Sequence, residues 1–322
     1  MISMSPIRRI LHIWQLRERA KSPGVWLFVF IFSGSVFLFS CSASHTSSAS
    51  SAGDTLLPVL KVNRQFGNFI DARAISIDAF GNAYIIDRGA PGIFKFNSKG
   101  DSITSIIGFG KEHNQFDDPA DIDASLTNAV AVADRNNHRI EIYSKDLIWQ
   151  ASIGGHEAGS GIQFGYPEAV RAAQAGNYFI IDGENKRALS INPANGSQQV
   201  ITLSGTESGV GINPVSLALT GNEFVTITDA NSGSMIMFNN AYLTQNRIRY
   251  AEISNTKLAS SDNVIYAFDK KINAIKIFDG NDLSYKTSYS LPESANHAIA
   301  IFVYRKEFYL LTKEKVIVCS KE

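Results

Sequence analysis

Five aspartates recur through the chain at nearly constant spacing, each at the end of a short apolar segment. They are Asp87, Asp134, Asp182, Asp229 and Asp269, separated by 47, 48, 47 and 40 residues. Each opens a polar loop such as DRNNHR, where its carboxylate can accept hydrogen bonds from loop backbone N–H groups. Because the same residue recurs in the same place, the pattern favours a structural role over a catalytic one.

The residues that vary between these loops are the better candidates for ligand binding. They carry mixed charge and comprise Arg88, Arg135, Glu184, Asn185 and Lys186. Such groups could grip an anionic or polar ligand. A solvated loop rim explains them equally well, and both interpretations stay open at this point.

Further charged residues fall on or beside the strand that begins each repeat. They are Asp121, Asp123, Arg171, Lys257 and His297. Alternation places Asp121 and Asp123 on the same face of the segment ADIDA. Paired carboxylates could bind Ca²⁺, which takes six to eight oxygen ligands. Solvated lining of a central channel is the simpler interpretation.

Three histidines could provide a zinc site, which in catalytic proteins uses three protein ligands. His113 and His156 lie in the segments that lead into the second and third repeats, and His297 lies at the start of the sixth. They form no recognisable motif. We therefore expect no cofactor, with Ca²⁺ or Zn²⁺ as the less favoured alternatives.

The elements that must position these residues are short strands in a repeated unit. The segment from Phe116 and the segment from Phe164 share an aromatic residue, a proline, a short strand, an Asp-ended strand, a polar loop and an alternating strand. Four short strands per period of 40–48 residues are typical of β-propeller blades. Six copies predict an all-β, six-bladed propeller of four-stranded blades. The last copy has three strands, so we expect the segment from Leu56 to Phe66 to supply its missing outer strand.

The second copy, FDDPADI…AVAVADRNNHRIEIYS, closely resembles the NHL repeat. The first and third copies match well and the last three in outline, so the resemblance covers residues 57–322. It implies the six-bladed propeller, with ligands bound on the face that carries the Asp loops. Peptide-amide lyases with NHL-like propellers bind zinc at the channel, and some NHL proteins bind RNA. The strand and turn motifs of gluconolactonase-type propellers are missing from this sequence.

The N-terminus carries an export signal. A basic region with five Lys and Arg residues precedes the apolar run from Val25 to Ser40, which is shorter than the roughly 20 residues needed to span a bilayer. Leu38–Cys41 resembles the bacterial lipobox, which implies lipidation at Cys41.

We expect a signal peptide at 1–40, a Ser-rich tether at 41–55 and the propeller at 56–322. The chain would then be exported and lipid-anchored to a bacterial membrane, the outer membrane being favoured. An uncleaved anchor is the alternative.

The net charge of the chain after residue 40 limits the kinds of partner that it can bind. Residues 1–40 hold five basic residues and one acid, so the remainder carries 25 Lys and Arg against 29 Asp and Glu, a formal charge of −4. There is no basic surplus to neutralise phosphates, so we expect no nucleic acid partner. The other cysteine, Cys319, lies in the apolar context VIVCS, which predicts a small buried thiol.

These observations favour a membrane-anchored binding or scaffold lipoprotein. One face of the propeller would be presented to an envelope protein or a small ligand. The alternative is a metal-dependent hydrolase or lyase with its site at the channel. An enzyme is the less favoured of the two, because no phosphate loop, nucleophile elbow or cysteine-pair motif is present in the sequence.

Overall fold

A computed structural model describes residues 25–32, 35–42, 57–126, 128–154, 163–201, 212–249 and 257–321. The chain divides into two units, one up to Leu56 and one from Leu57 onward. In the first unit, β1 (Val25–Phe32) pairs antiparallel with β2 (Ser35–Ser42). Cys41 lies in β2, and its side chain is outside the described part of the structure, as is all of His156. Among the described residues, no helix has the length and apolar character needed to cross a bilayer.

The second unit begins with β3 (Lys61–Phe66), which is followed by 23 further strands. Blade one is β4 (Ala72–Ile77), β5 (Ala83–Asp87), β6 (Gly92–Phe96) and β7 (Ser102–Ile107). Blade two is β8 (Pro119–Asp123), β9 (Val130–Asp134), β10 (Arg139–Tyr143) and β11 (Trp149–Gly154). Blade three is β12 (Pro167–Ala172), β13 (Tyr178–Asp182), β14 (Arg187–Asn192) and β15 (Ser197–Ile201).

Blade four is β16 (Pro214–Leu219), β17 (Val225–Asp229), β18 (Ser234–Phe238) and β19 (Thr244–Arg249). Blade five is β20 (Leu258–Ser261), β21 (Val264–Asp269), β22 (Ala274–Asp279) and β23 (Tyr285–Ser290). After the 3-10 turn Glu293–Ala295 comes blade six, with β24 (Ala300–Tyr304), β25 (Glu307–Leu311) and β26 (Val316–Ser320). We call the strands of each blade a to d, from the innermost outward.

All six blades are four-stranded antiparallel sheets, and the sixth has the order β24-β25-β26-β3. The first strand of each blade contacts the first strand of the next, and β24 contacts β4, which closes the ring. The prediction of a six-bladed propeller whose last blade is closed by the N-terminal strand is confirmed. The ring is closed by the antiparallel pairing of β3 with β26, from Lys61 opposite Ser320 to Phe66 opposite Val316, with a bulge at Asn63.

The hydrophobic core lies between the blades. Six clusters of buried side chains fill the six interfaces between neighbouring blades, for example Tyr84, Phe116 and Tyr143 between blades one and two. Period-2 alternation explains this arrangement, because each strand sends successive side chains to opposite faces of its blade. Cys319 is fully buried between blades five and six.

The two faces of the ring differ in their connections. One carries the b–c loops and the links between blades, and we call it the loop face. The other carries the a–b and c–d turns, and we call it the turn face. The b–c loops of blades two to five end on a residue with positive φ, four positions after the Asp: His138, Lys186, Gly233 and Asn273. This conformation lets the chain reverse within the loop and return into strand c.

Candidate functional site

Asp134 holds the b–c loop of blade two together. Its carboxylate is fully buried and accepts hydrogen bonds from the Asp117 N–H at 2.8 Å, from Asn137 Nδ2 at 2.7 Å and from Arg139 Nε at 3.0 Å. Arg139 also donates to three carbonyl oxygens of the link that enters blade two. One carboxylate therefore ties the b–c loop to the incoming link.

The other four loop aspartates lie in equivalent places. Asp87 accepts from the link N–H groups of Ile70 and Asp71 at 2.8 and 2.9 Å. Asp182 and Asp229 likewise accept a link N–H, from Gly165 at 3.1 Å and from Asn213 at 2.7 Å. Asp269 accepts from the Lys271 N–H at 3.0 Å, and its carboxylate lies 2.7 Å from Lys276 Nζ.

Arg88 and Arg135 bridge neighbouring blades on the loop face. Arg88 lies 2.8 Å from Asp71 of blade one and 3.7 Å from Asp118 of blade two. Arg135 lies 3.2 Å from Asp118 and 3.1 Å from Glu168 of blade three. Both guanidinium groups are thus engaged by carboxylates of the protein itself, although both side chains remain partly exposed.

The remaining loop candidates lie together in blade three. Asn185 donates through Nδ2 to both oxygens of Asp182, at 3.1 and 2.9 Å, so it serves the loop itself. Glu184 and Lys186 are exposed on the loop face, beside Asn185. The structure therefore brings together Glu184, Asn185 and Lys186 but places Arg88 and Arg135 in separate inter-blade contacts.

An ion cluster joins opposite sides of the central channel. Arg171 Nη1 lies 2.6 Å from Asp121 Oδ2, and Lys257 Nζ lies 3.6 Å from Asp121 Oδ1. Lys257 belongs to blade five and Asp121 to blade two, which stand opposite each other in a six-membered ring. Lys257 also donates to the Ala120 carbonyl at 3.2 Å, so its side chain crosses the channel.

Asp121 and Asp123 are not the solvated lining that the sequence suggested, because only 2 and 3% of their surfaces are exposed. Asp121 accepts from the Val170 N–H at 3.1 Å and Asp123 from the Ala172 N–H at 2.8 Å, both in the innermost strand of the next blade. Two serines do the same elsewhere: Ser76 accepts from the Ala124 N–H and Ser216 from the Leu258 N–H, at 2.9 and 2.8 Å. These polar side chains join the innermost strands of blades one and two, of blades two and three, and of blades four and five.

The charge state of Asp121 follows from its two cationic partners. Burial alone would raise its pKa, but Arg171 and Lys257, with the Val170 N–H, outweigh burial and hold the pKa of this carboxyl below its usual value. A carboxyl with a depressed folded pKa stabilises the fold above its unfolded pKa of about 3.9, and this contribution is lost as the pH falls through the folded value. Asp121 therefore contributes to stability at neutral pH.

We expect Asp121→Asn to be less stable than the wild type near pH 7 and to lose less stability on acidification to about pH 3. The amide keeps an acceptor for the Val170 N–H but has no charge to lose. Urea unfolding at both pH values measures the difference, with the exposed Asp101→Asn as a control that should follow the wild type. The same acid-induced loss in Asp121→Asn and wild type would contradict this role.

The channel beyond the ion cluster is an open cavity of about 550 Å³. Its wall takes one or more residues from the innermost strands of all six blades: Ser76, Asp123, Arg171, Leu219, Ala259 and Phe302 are examples. The a–b turns form the rim, which includes Glu223 and Asp262. This cavity, which we call the channel mouth, therefore opens on the turn face. We had expected ligand binding on the loop face.

His113 and His297, the two candidate zinc ligands that the structure describes, lie apart from the channel mouth. The His113 ring stacks on Trp149 at 3.8 Å between centroids, whereas His297 lines a cavity between blades five and six instead of the channel. Within the described residues, no three His, Cys, Asp or Glu side chains are grouped so as to hold a metal ion. The channel carboxylates that could have bound Ca²⁺ are occupied by protein donors.

No protein-family profile matches this sequence, and neither does any curated protein. Solved structures match over most of the chain. A virginiamycin B lyase from Staphylococcus aureus, solved with quinupristin, has a TM-score of 0.58 at 11% identity and covers 82% of this chain and 100% of its own. A streptogramin B lyase gives 0.57 at 11%, covering 80 and 97%. A chain of a nidogen/laminin complex gives 0.54 at 15%, covering 70 and 82%. These likenesses show the propeller fold alone.

Proposed function

We propose that this chain is a lipid-anchored extracytoplasmic binding protein of the NHL-repeat type, which holds a small polar ligand in the channel mouth. The observation that carries the proposal is the cavity itself. Its volume falls within the 300–1,000 Å³ of typical small-molecule sites, and its base is formed by a fixed cation. The export signal and the lipobox-like Leu38–Cys41 support the anchored location.

The charges of the channel mouth favour a ligand with an anionic group at its inner end. Arg171 lines the base and uses Nη1 for Asp121 and the Val170 carbonyl. Its planar guanidinium has five N–H donors, so others are available to a carboxylate or phosphate. Glu223 and Asp262 at the rim suit a cationic or hydroxyl-bearing outer end. A rigid ring of six blades keeps these groups in place without a ligand.

A substitution that blocks the channel mouth tests the proposal. Gln174 is exposed on the rim, so Gln174→Trp should obstruct entry without disturbing the fold. The full chain is purified in mild detergent from membranes, where Cys41→Ser should reduce its recovery. Small molecules released on denaturation are then identified by mass spectrometry. We expect a compound in near-stoichiometric amount from the wild type and from Lys111→Trp, a control on the loop face, but not from Gln174→Trp.

Two results count against the channel mouth as the site. One is a compound retained equally by Gln174→Trp. The other is a stoichiometric protein partner with no small molecule, which would make the chain a scaffold whose docking surface lies elsewhere. A chain that retains neither would contradict the binding function as a whole.

A further inference from the structure

Blade six lacks the aspartate that ends strand b in the other five blades. At the position of the loop aspartates it has Thr312, whose Oγ1 accepts from the Glu314 and Lys315 N–H groups at 3.3 and 3.1 Å. Among the described residues, no N–H of the link into blade six donates to this side chain, and the Ile299 N–H bonds to the Leu311 carbonyl at 2.8 Å. Blade six thus lacks the buried negative charge of its neighbours.

A cavity of about 580 Å³ lies where that carboxylate and its link would meet in the other blades. It is bounded by the b–c loops of blades five and six and by the link that contains the 3-10 turn Glu293–Ala295. The channel mouth proposed above as the ligand site is a separate cavity, and of the three candidate zinc ligands His297 lines this one.

The cavity is cationic in a chain that is otherwise slightly acidic. Lys270 comes from blade five, and Lys313 and Lys315 come from blade six, with His297 from the link and Glu314 as the single acid. Lys313 lies 3.5 Å from Asp71. Among the described residues, Lys270 and Lys315 have no carboxylate within 4 Å. The side chains of Phe268, Ala298 and Ile299 provide an apolar wall beside the cations.

We infer that this cavity binds a small organic oxyanion, a phosphate or carboxylate group joined to an apolar body. The oxyanion takes the place that a loop aspartate occupies in the other five blades, and Lys270 and Lys315 neutralise it. The apolar body packs against Phe268 and Ile299. The site is separate from the channel mouth, so this inference does not depend on the function proposed above.

Isothermal titration of the full chain in neutral detergent tests the site with three probes: inorganic phosphate, phenyl phosphate and dihexanoyl phosphatidic acid. We expect phenyl phosphate or the short lipid to bind at least tenfold more tightly than inorganic phosphate, because only they have an apolar body. Preference for phenyl phosphate indicates a soluble ligand, and preference for the lipid indicates a headgroup. Equal affinity for all three probes, or no measurable binding of any, would overturn the inference.

Thr312→Asp is the decisive variant, because it restores the residue found in the other blades. The new carboxylate should weaken binding of the preferred probe at least tenfold while leaving the thermal midpoint unchanged or raised. Lys315→Gln should weaken binding to a similar extent, whereas Lys99→Gln, on a c–d turn of blade one, should not. Unchanged binding by a folded Thr312→Asp chain would place the anion elsewhere.

Discussion

Replacing Asp134 with alanine is expected to lower the free energy of unfolding by about 3–5 kcal/mol, the usual cost of removing one partner from a buried ion pair. Arg139, whose side chain is 10% exposed, would lose its 3.0 Å contact with Asp134 and keep Glu141, at 2.8 Å, as its carboxylate partner. The Asp117 N–H would lose its acceptor too, and Asn137 Nδ2 would keep the Gly110 carbonyl alone. The loop and the incoming link would then no longer share a carboxylate.

The matched control is the adjacent residue. Arg135→Ala removes ion pairs of a side chain that is one-third exposed, and such surface pairs contribute about 1 kcal/mol or less. Both variants are compared by urea denaturation at about pH 8. Burial raises the pKa of Asp134 to about 6 against the lowering effect of its hydrogen-bond donors, so the carboxylate is ionised there. Equal losses in the two variants would contradict the structural role of Asp134.

A chain that begins at Gly67 is expected not to fold cooperatively, whereas a chain that begins at Leu57 should keep the ring intact. The shorter chain lacks β3, and with it Leu60 and Phe66, which are 2 and 9% exposed in the cores on either side of blade six. It also leaves β26 as an unpaired edge. Because Phe66→Ala alone should cost about 3–5 kcal/mol, losing the whole strand should exceed the stability of many domains.

Thermal melts followed by circular dichroism, with size-exclusion chromatography, separate these outcomes. We expect one sharp transition for the chain from Leu57 and a broad transition or aggregation for the chain from Gly67. Phe66→Ala should fall between them, with a lowered midpoint and a retained ring. A chain from Gly67 that melts like the longer one would show that the ring does not need β3.

The fold could be predicted because its signals are local and repeated. The aspartates from Asp87 to Asp269 mark strand ends at regular spacing, and alternation identifies the strands around them. The missing fourth strand of the last repeat pointed to the segment ending at Phe66, since a three-stranded blade would leave an open edge.

The site was less predictable because it depends on contacts between distant blades. Alternation placed Asp121 and Asp123 on one face, but the N–H groups that donate to them, those of Val170 and Ala172, lie 49 residues on. The contact of Lys257 with Ala120 spans 137 residues and requires the ring to be closed. Thr312 was visible in the sequence as a departure from the Asp pattern. That departure was the one signal that could have indicated the cationic cavity beforehand.

Because β3 pairs with β26, the ring can close only once the last strand of the chain is available. Asn63 and Ser320, which are hydrogen-bonded in the folded ring, stand 257 residues apart in the chain. During synthesis, β3 emerges before every other strand of the ring, and its partner β26 emerges last. A prematurely terminated chain that lacks β26 has no partner for β3, so it stays an open arc with exposed strand edges. Ring closure therefore depends on a chain that contains both β3 and β26.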